Sequence, residues 1–237
     1  MKWDEVFSDT FQVLKKNIKP IVKQEIDLMI PSMKMVEVCR ANDFDFFQPV
    51  IDAGKLTVEQ MHHAAARYWL GKTKNGQPMF WMIDDIHRPL DAHIGDTWIS
   101  HLLKVREPLL KYWCVQHCLF GLHLTSYSCF ETWPVCIVES ESSAVILSEL
   151  FPEYIWLAYG TISHANPNKF TPLKGRRVTI YPRTDPNLST YLFFLDLAAF
   201  TRQIYGLDLH IDSTLENHAT AEQKQRCIDI LDFILES

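Results

Sequence analysis

The chain has 237 residues, 47% of them hydrophobic, enough to bury a substantial core as one large domain or two small ones. A formal net charge of −6 argues against broad attraction to a phosphate backbone and leaves only local basic patches for such contacts. Six cysteines at scattered spacings, without a secretory signal or an apolar run long enough to span a bilayer, predict a reduced, cytoplasmic protein with no membrane partner.

Across residues 1–30, Trp3, Phe7, Leu14, Ile18 and Ile21 fall near one helical face with Lys15, Lys16 and Lys19 elsewhere. This predicts a helical segment, kinked or ended at Pro20, that packs on the core rather than serving as a partner-binding arm. From Asp43 the chain again reads as helices, with Phe44 and Phe47 inward. Thr57 and Gln60 stand at capping-box spacing ahead of MHHAAARYW. His62 and His63 are adjacent, so they do not share a helical face and make no metal pair. Asn75-Gly76 is a hairpin signal joining Tyr68–Leu70 to a strand at Met79–Ile83. Further short strands are expected at Pro89–Ile94 and Trp98–Leu102. Residues 31–130 thus form a mixed α+β region with a small antiparallel sheet, bounded somewhere between Thr125 and Pro134. Cys114, His117, Cys118, His123 and Cys129 lie close in sequence, but a Cys-x3-Cys pair without a second pair at a usable distance predicts no zinc.

Residues 131–237 read as α/β. Val135–Val138 is a short continuous apolar run of strand length, ending in Glu139, and Ser140 is placed to cap a helix bearing Ala144, Leu147 and Phe151. Tyr154–Gly160 contains a second strand. Val178–Asn187 starts as a third, stopped by Pro182, with Arg183 and Asp185 just past its end. A helix over Thr190–Tyr205 shows Phe193, Leu197, Phe200 and Ile204 on one face, and a short strand follows at Leu209–Asp212. The last helix opens at the Thr220 and Gln223 capping box and carries Cys227, Leu231 and Ile234 inward. Strands alternating with helices predict a mainly parallel sheet with flanking helices. Ligands of such sheets bind beyond the strands' carboxyl ends, where Glu139 stands.

A strand-end Glu followed by a helix, and a later strand ending in an acidic pair, resembles the toprim domain of topoisomerases, bacterial primases and small nucleases. The likeness is closer to primase-like toprim proteins from bacterial mobile elements. It rests on IVESE at Ile137–Glu141, IWLAYG at Ile155–Gly160, LKGRRV at Leu173–Val178, YWLGKTKNGQPMFWMID at Tyr68–Asp84 and HCLFGLHL at His117–Leu124, and covers the chain from about Ile30 onward. Such relatives often carry a zinc-binding cysteine cluster ahead of this region, whereas the N-terminal third here holds only Cys39.

The resemblance implies metal-assisted phosphoryl transfer, with Glu139 as general acid or base and an Asp-x-Asp pair holding Mg2+. Arg183 stands at the first Asp position and Asp185 at the second; Ser142 and Ser143 stand where the nearest relatives tend to have Lys and Thr. Glu139 and Asp185 are therefore the catalytic candidates, and Glu139, Glu141 and Asp185 a weakened metal set in which a guanidinium replaces one ligand. We expect Arg183 to pair with these acids in a charge-assisted, bidentate manner, leaving Mg2+ weakly bound or absent. Lys169 and Arg183 are the candidate nucleic-acid contacts, from a wider basic set that includes Lys174, Arg176 and Arg177.

Three readings follow. The first-ranked is a nucleic-acid-associated, toprim-like module of mobile-element replication with an impaired metal site, its partners DNA or RNA and other replication proteins. The second is an active Mg-dependent nucleotidyltransferase or nuclease, and the third an interaction domain with no nucleic-acid role. No glycine-rich phosphate loop and no aromatic-basic single-strand platform is present, and the chain has no room for the strand-passage domains of a topoisomerase.

Overall fold

The structure, a computed structural model, describes residues 31–106 and 115–236. The helix expected within residues 1–30, and Cys114, lie outside the described residues. Helix α1 (Met33–Cys39) and α2 (Gln48–Asp52) lead to α3 (Val58–Arg67), which starts at the expected cap: Thr57 Oγ1 accepts from Gln60 N–H, and Gln60 Oε1 accepts from Thr57 N–H. Strands β1 (Gly71–Lys72), β2 (Pro78–Ile83), β3 (Pro89–Ile94) and β4 (Thr97–Trp98) form an antiparallel meander in that order, followed by α4 (Ile99–Arg106). Period-two alternation gives β2 two buried faces. Met79, Trp81 and Ile83 join a small core with Met35, Val36, Ile94 and Leu103, whereas Met82 joins the main core on the other side.

Strands β5 (Val135–Val138), β6 (Ile155–Ala158), β7 (Val178–Ile180) and β8 (Leu209–Ile211) form a wholly parallel sheet in the order β6-β5-β7-β8. Helix α5 (Glu141–Leu150) connects β5 to β6 and α6 (Ser189–Tyr205) connects β7 to β8. All four residues of β5 are buried, as an apolar run covered on both faces requires. The fold is therefore α/β, a parallel sheet with interleaved helices preceded by a small antiparallel sheet.

The two regions share a core. Phe44, Phe47, Ala64, Tyr68, Leu119, Phe120, Leu122 and Leu124 cluster with Ile137, Leu147 and Leu157, and Phe120 pairs with Ala158 in a two-way backbone bridge that covers the exposed edge of β6. Tyr68 Oη donates to Trp156 O at 2.7 Å across the same seam. Among the described residues no helix is long and apolar enough to cross a membrane.

Four local expectations are corrected. The hairpin's first strand is Gly71–Lys72, because Tyr68 is drawn into the core at the end of α3 and Trp69 turns the chain with φ 56°. Trp98–Leu102 is a strand only at Trp98, because Asp91 binds the amide and hydroxyl of Ser100 and so stabilises the start of α4. The buried stripe of α6 is Thr190, Phe194, Leu197 and Thr201, so Phe200 and Ile204 are exposed at 48% and 55%. The last helix keeps its capping box but stops after Gln225 as α8 (Ala221–Gln225), following α7 (Thr214–His218). Cys227, with φ 53°, reverses the chain before α9 (Ile230–Glu236). That break places Asp229 at the head of α9.

Candidate functional site

The sheet order reverses direction at β5 and β7, and Glu139 and Arg183 follow the carboxyl ends of these two adjacent strands. Main-chain bonds fix both. Gly160 N–H donates to Glu139 O at 3.0 Å, and Thr184 N–H donates to Ile228 O at 3.0 Å, which ties the end of β7 to the segment before α9. Arg183 Nε approaches Glu139 Oε2 at 3.2 Å, with 42% and 16% of the two side chains exposed. The guanidinium N–H does not point along a hydrogen bond, so this is an ion pair through Nε, rather than the bidentate pairing expected from the sequence. Burial raises the Glu139 carboxyl above its ordinary value; Arg183 opposes that, and Asp229 and Glu141 reinforce it.

Each remaining acid is also engaged. Ser140 caps α5, accepting from Ser143 N–H at 3.4 Å, and so sets Glu141 in the first turn. Glu141 is buried, and its Oε1 lies 3.1 Å from His93 Nδ1 on β3. The hydrogen bond to Glu141 raises the His93 pKa despite opposition from burial. Asp185 faces the amino end of α6: Oδ1 accepts from Asn187 N–H at 2.9 Å and Ser189 N–H at 3.0 Å, and Oδ2 from Thr190 N–H at 2.7 Å. Burial alone would raise this carboxyl, but the three amides outweigh it and hold it well below the usual carboxylate range. Asp185 caps the helix with both oxygens.

The sequence reading missed two residues here. Asp229 reaches Ser143 Oγ at 2.5 Å and is paired with Asp232 in a reciprocal cap at the start of α9; burial raises its carboxyl. Its Asp-x-x-Asp spacing was a legible capping signal, whereas its arrival beside Ser143 depends on the break at Cys227. Tyr159, at 2% exposure, has no hydrogen-bond partner for its hydroxyl among the described residues, and burial with the Glu139 charge raises its pKa well above the ordinary value.

The predicted magnesium set does not fit an octahedral oxygen shell: a guanidinium opposes Glu139, an imidazole opposes Glu141 and three amides fill Asp185. Among the described residues no three His, Cys, Asp or Glu side chains are grouped to hold a metal ion. Of the cysteine-histidine run, His117 binds Asp91, His123 is buried against Arg67 O, Cys118 is half-buried and Cys129 is exposed. Of the basic residues, Arg176 is consumed by the carbonyls of Thr125, Phe130 and Trp133, at the opposite end of β7 from Arg183. Lys169 lies half-buried in a cleft beyond β6.

The sequence model of a family described as a domain of unknown function, DUF6371, matches residues 46–184, more than half of the chain, and the chain belongs to that family. The matched span takes in Glu139, Glu141 and Arg183 and stops short of Asp185 and Asp229. No curated protein matches the chain.

Proposed function

We propose that this member of the DUF6371 family is a toprim-like, nucleic-acid-associated module of mobile-element replication, related to bacterial primases, whose strand-end acids have become structural. The observation that carries the reading is the pairing of Glu139 with Arg183 at the reversal point of the sheet. In this reading the reversal point of the sheet, where such folds place a ligand, keeps its position while the charge that would recruit Mg2+ is met from within. The exposed part of Arg183 then turns that point from a cation site into a weak contact for a phosphate, and DNA or RNA is the partner. Glu139, Glu141 and Asp185 then act as positioning groups: they hold Arg183, His93 and the first turn of α6.

Binding of a fluorescently labelled single strand, followed at several salt concentrations, tests the reading. Affinity should fall with salt with a shallow slope, since few phosphates are contacted, and Arg183→Ala should weaken binding without unfolding the chain. Absence of binding to single-stranded and duplex DNA and to RNA at low salt favours the interaction domain without a nucleic-acid role.

One observation favours the active-enzyme reading as runner-up. The raised Glu139 carboxyl, beside the buried hydroxyl of Tyr159, is the kind of perturbed group that proton transfer uses. Nucleotidyl transfer or nuclease turnover with Mg2+ or Mn2+, lost in Glu139→Gln, would put that reading first.

A further inference from the structure

Beyond the carboxyl end of β6, a cleft of about 550 Å3 opens between the β2–β3 turn, the segment around His117 and the turns that follow Gly160. That volume is within the range of small-ligand sites, roughly 300–1,000 Å3. Its wall includes Arg88, His117, His164, Asn166, Asn168 and Lys169. Arg88 and Lys169 bring positive charge and Asn166, Asn168 and His164 can donate hydrogen bonds, while Asp84 and Asp85 are the acids of the same wall.

His117 is held by a buried carboxylate. Asp91, at 0% exposure, accepts from Ser100 Oγ at 2.6 Å and from His117 Nε2 at 2.8 Å through one oxygen, and from Ala92 N–H and Ser100 N–H through the other. Trp98 stacks on the imidazole with centroids 3.8 Å apart, fixing the ring plane. Because Nε2–H donates to Asp91, Nδ1 of the neutral ring is the nitrogen left to the cleft, an acceptor that can meet the P–OH of a protonated phosphate. His164 packs edge-on to the same pair, 6.0 Å from the His117 ring and 5.8 Å from Trp98.

Lys169 brings the charge. It forms no ion pair among the described residues, while burial lowers its pKa, with the Glu141 charge opposing. The neighbouring Cys118 thiol is pushed up to about 12 by burial, so it stays neutral and does not pair with the ammonium. Asp84, the buried acid of the cleft wall, is already neutralised by Arg88 at 2.8 Å and by the amides of Ile86 and Arg88. The remaining acid, Asp85, is exposed at the rim. A half-desolvated ammonium beside two imidazoles, one locked with its acceptor nitrogen free, is complementary to a compact anion that carries both acceptor oxygens and an O–H.

We propose that this cleft binds a small phosphate-bearing ligand, with the phosphate held by Lys169, His164 and the Asp91-oriented His117. The proposal does not rest on the nucleic-acid reading: a chain that binds no polynucleotide leaves it standing. Free phosphate and a phosphate monoester such as a mononucleotide share the recognised group; the rest of the cleft has room for a base and sugar.

The test is titration of the full chain with inorganic phosphate and, separately, adenosine 5′-monophosphate, read by phosphorus NMR and calorimetry. Lys169→Met, which keeps the aliphatic stem, and His164→Gln should each weaken binding roughly tenfold or more with an unchanged melting temperature. His117→Gln should weaken it too, with the melting temperature lowered because Asp91 loses a partner. Tighter binding of the monophosphate than of phosphate identifies a nucleotide, and equal binding identifies free phosphate. No binding of either probe at millimolar concentration, or binding that Lys169→Met and His164→Gln both leave unchanged, overturns the proposal.

Discussion

Glu139 Oε2 and Arg183 Nε stand 3.2 Å apart across the two central strands of the parallel sheet. Glu139 directly follows β5 and Arg183 stands three residues past the end of β7, so close that removing one partner changes the field felt by the other. Arg183→Ala should raise the Glu139 carboxyl further. For an acid whose folded value is raised, the native state holds the proton longer than the unfolded chain. Stability therefore falls as pH rises from the ordinary value of 4.5 toward the folded value, and the variant should show a larger fall. Urea unfolding of both proteins across that window checks this, and a double-mutant cycle with Glu139→Gln should give a coupling of about 1 kcal/mol.

Asp185→Ala should cost about 1–2 kcal/mol at neutral pH, as expected for loss of a helix cap, and Asp185→Asn less. The sign with pH is opposite to that of Glu139. A carboxyl held below its ordinary value of 3.8 gives stability that is present above that value and lost as pH falls through the folded one. Denaturation curves of the wild type and Asp185→Asn should therefore converge in acid; parallel curves would show that the three amides do not act on a charge.

His93 and Glu141 link the antiparallel hairpin to the first turn of α5. A histidine with a raised folded value gives stability fully present below its ordinary 6.5 and lost as pH climbs through the folded value. Glu141→Gln should bring the His93 titration, followed by proton NMR, back toward the ordinary value. It should also flatten the stability profile on the alkaline side of 6.5, to the extent that other groups facing His93, Asp96 and Asp91, do not hold it.

The seam between the two regions should be intolerant of added volume at Gly121. Its φ is 79°, and a Cβ there would lie 2.9 Å from Tyr68 Cε1 and 3.2 Å from Trp156 O. Gly121→Ala should destabilise by about 1–3 kcal/mol or more, measured by urea unfolding, because backbone conformation and packing object together. Gly175→Ala, with φ 86° and nothing within 4 Å of the added carbon, separates the conformational part from the packing part.

The parallel sheet was legible because its signals are local. Val135–Val138 and Ile155–Ala158 are buried on both faces and therefore read as unbroken apolar runs, and the Ser140, Thr57 and Thr220 caps are short-range patterns. The approach of Arg183 to Glu139 was also readable, since it needs only two adjacent parallel strands. What escaped depends on tertiary placement. Asp185 reads as a site acid from the sequence because nothing local says that its oxygens turn back to α6. Asp229 came from a segment positioned by the break at Cys227. Likewise Asp91 and His117 are 26 positions apart and meet only once β3 and the following segment pack together.

In the proposed reading the strand-end acids Glu139, Glu141 and Asp185 are satisfied from within the chain. Manganese titration of the 237-residue chain by calorimetry, with and without Glu139→Gln, checks this. We expect no binding in the micromolar range for either protein, and Mg2+ to leave the melting temperature unchanged. Micromolar binding to the unmodified chain that Glu139→Gln or Asp185→Ala abolishes would contradict the claim, because these carboxylates would then be free to coordinate a metal ion.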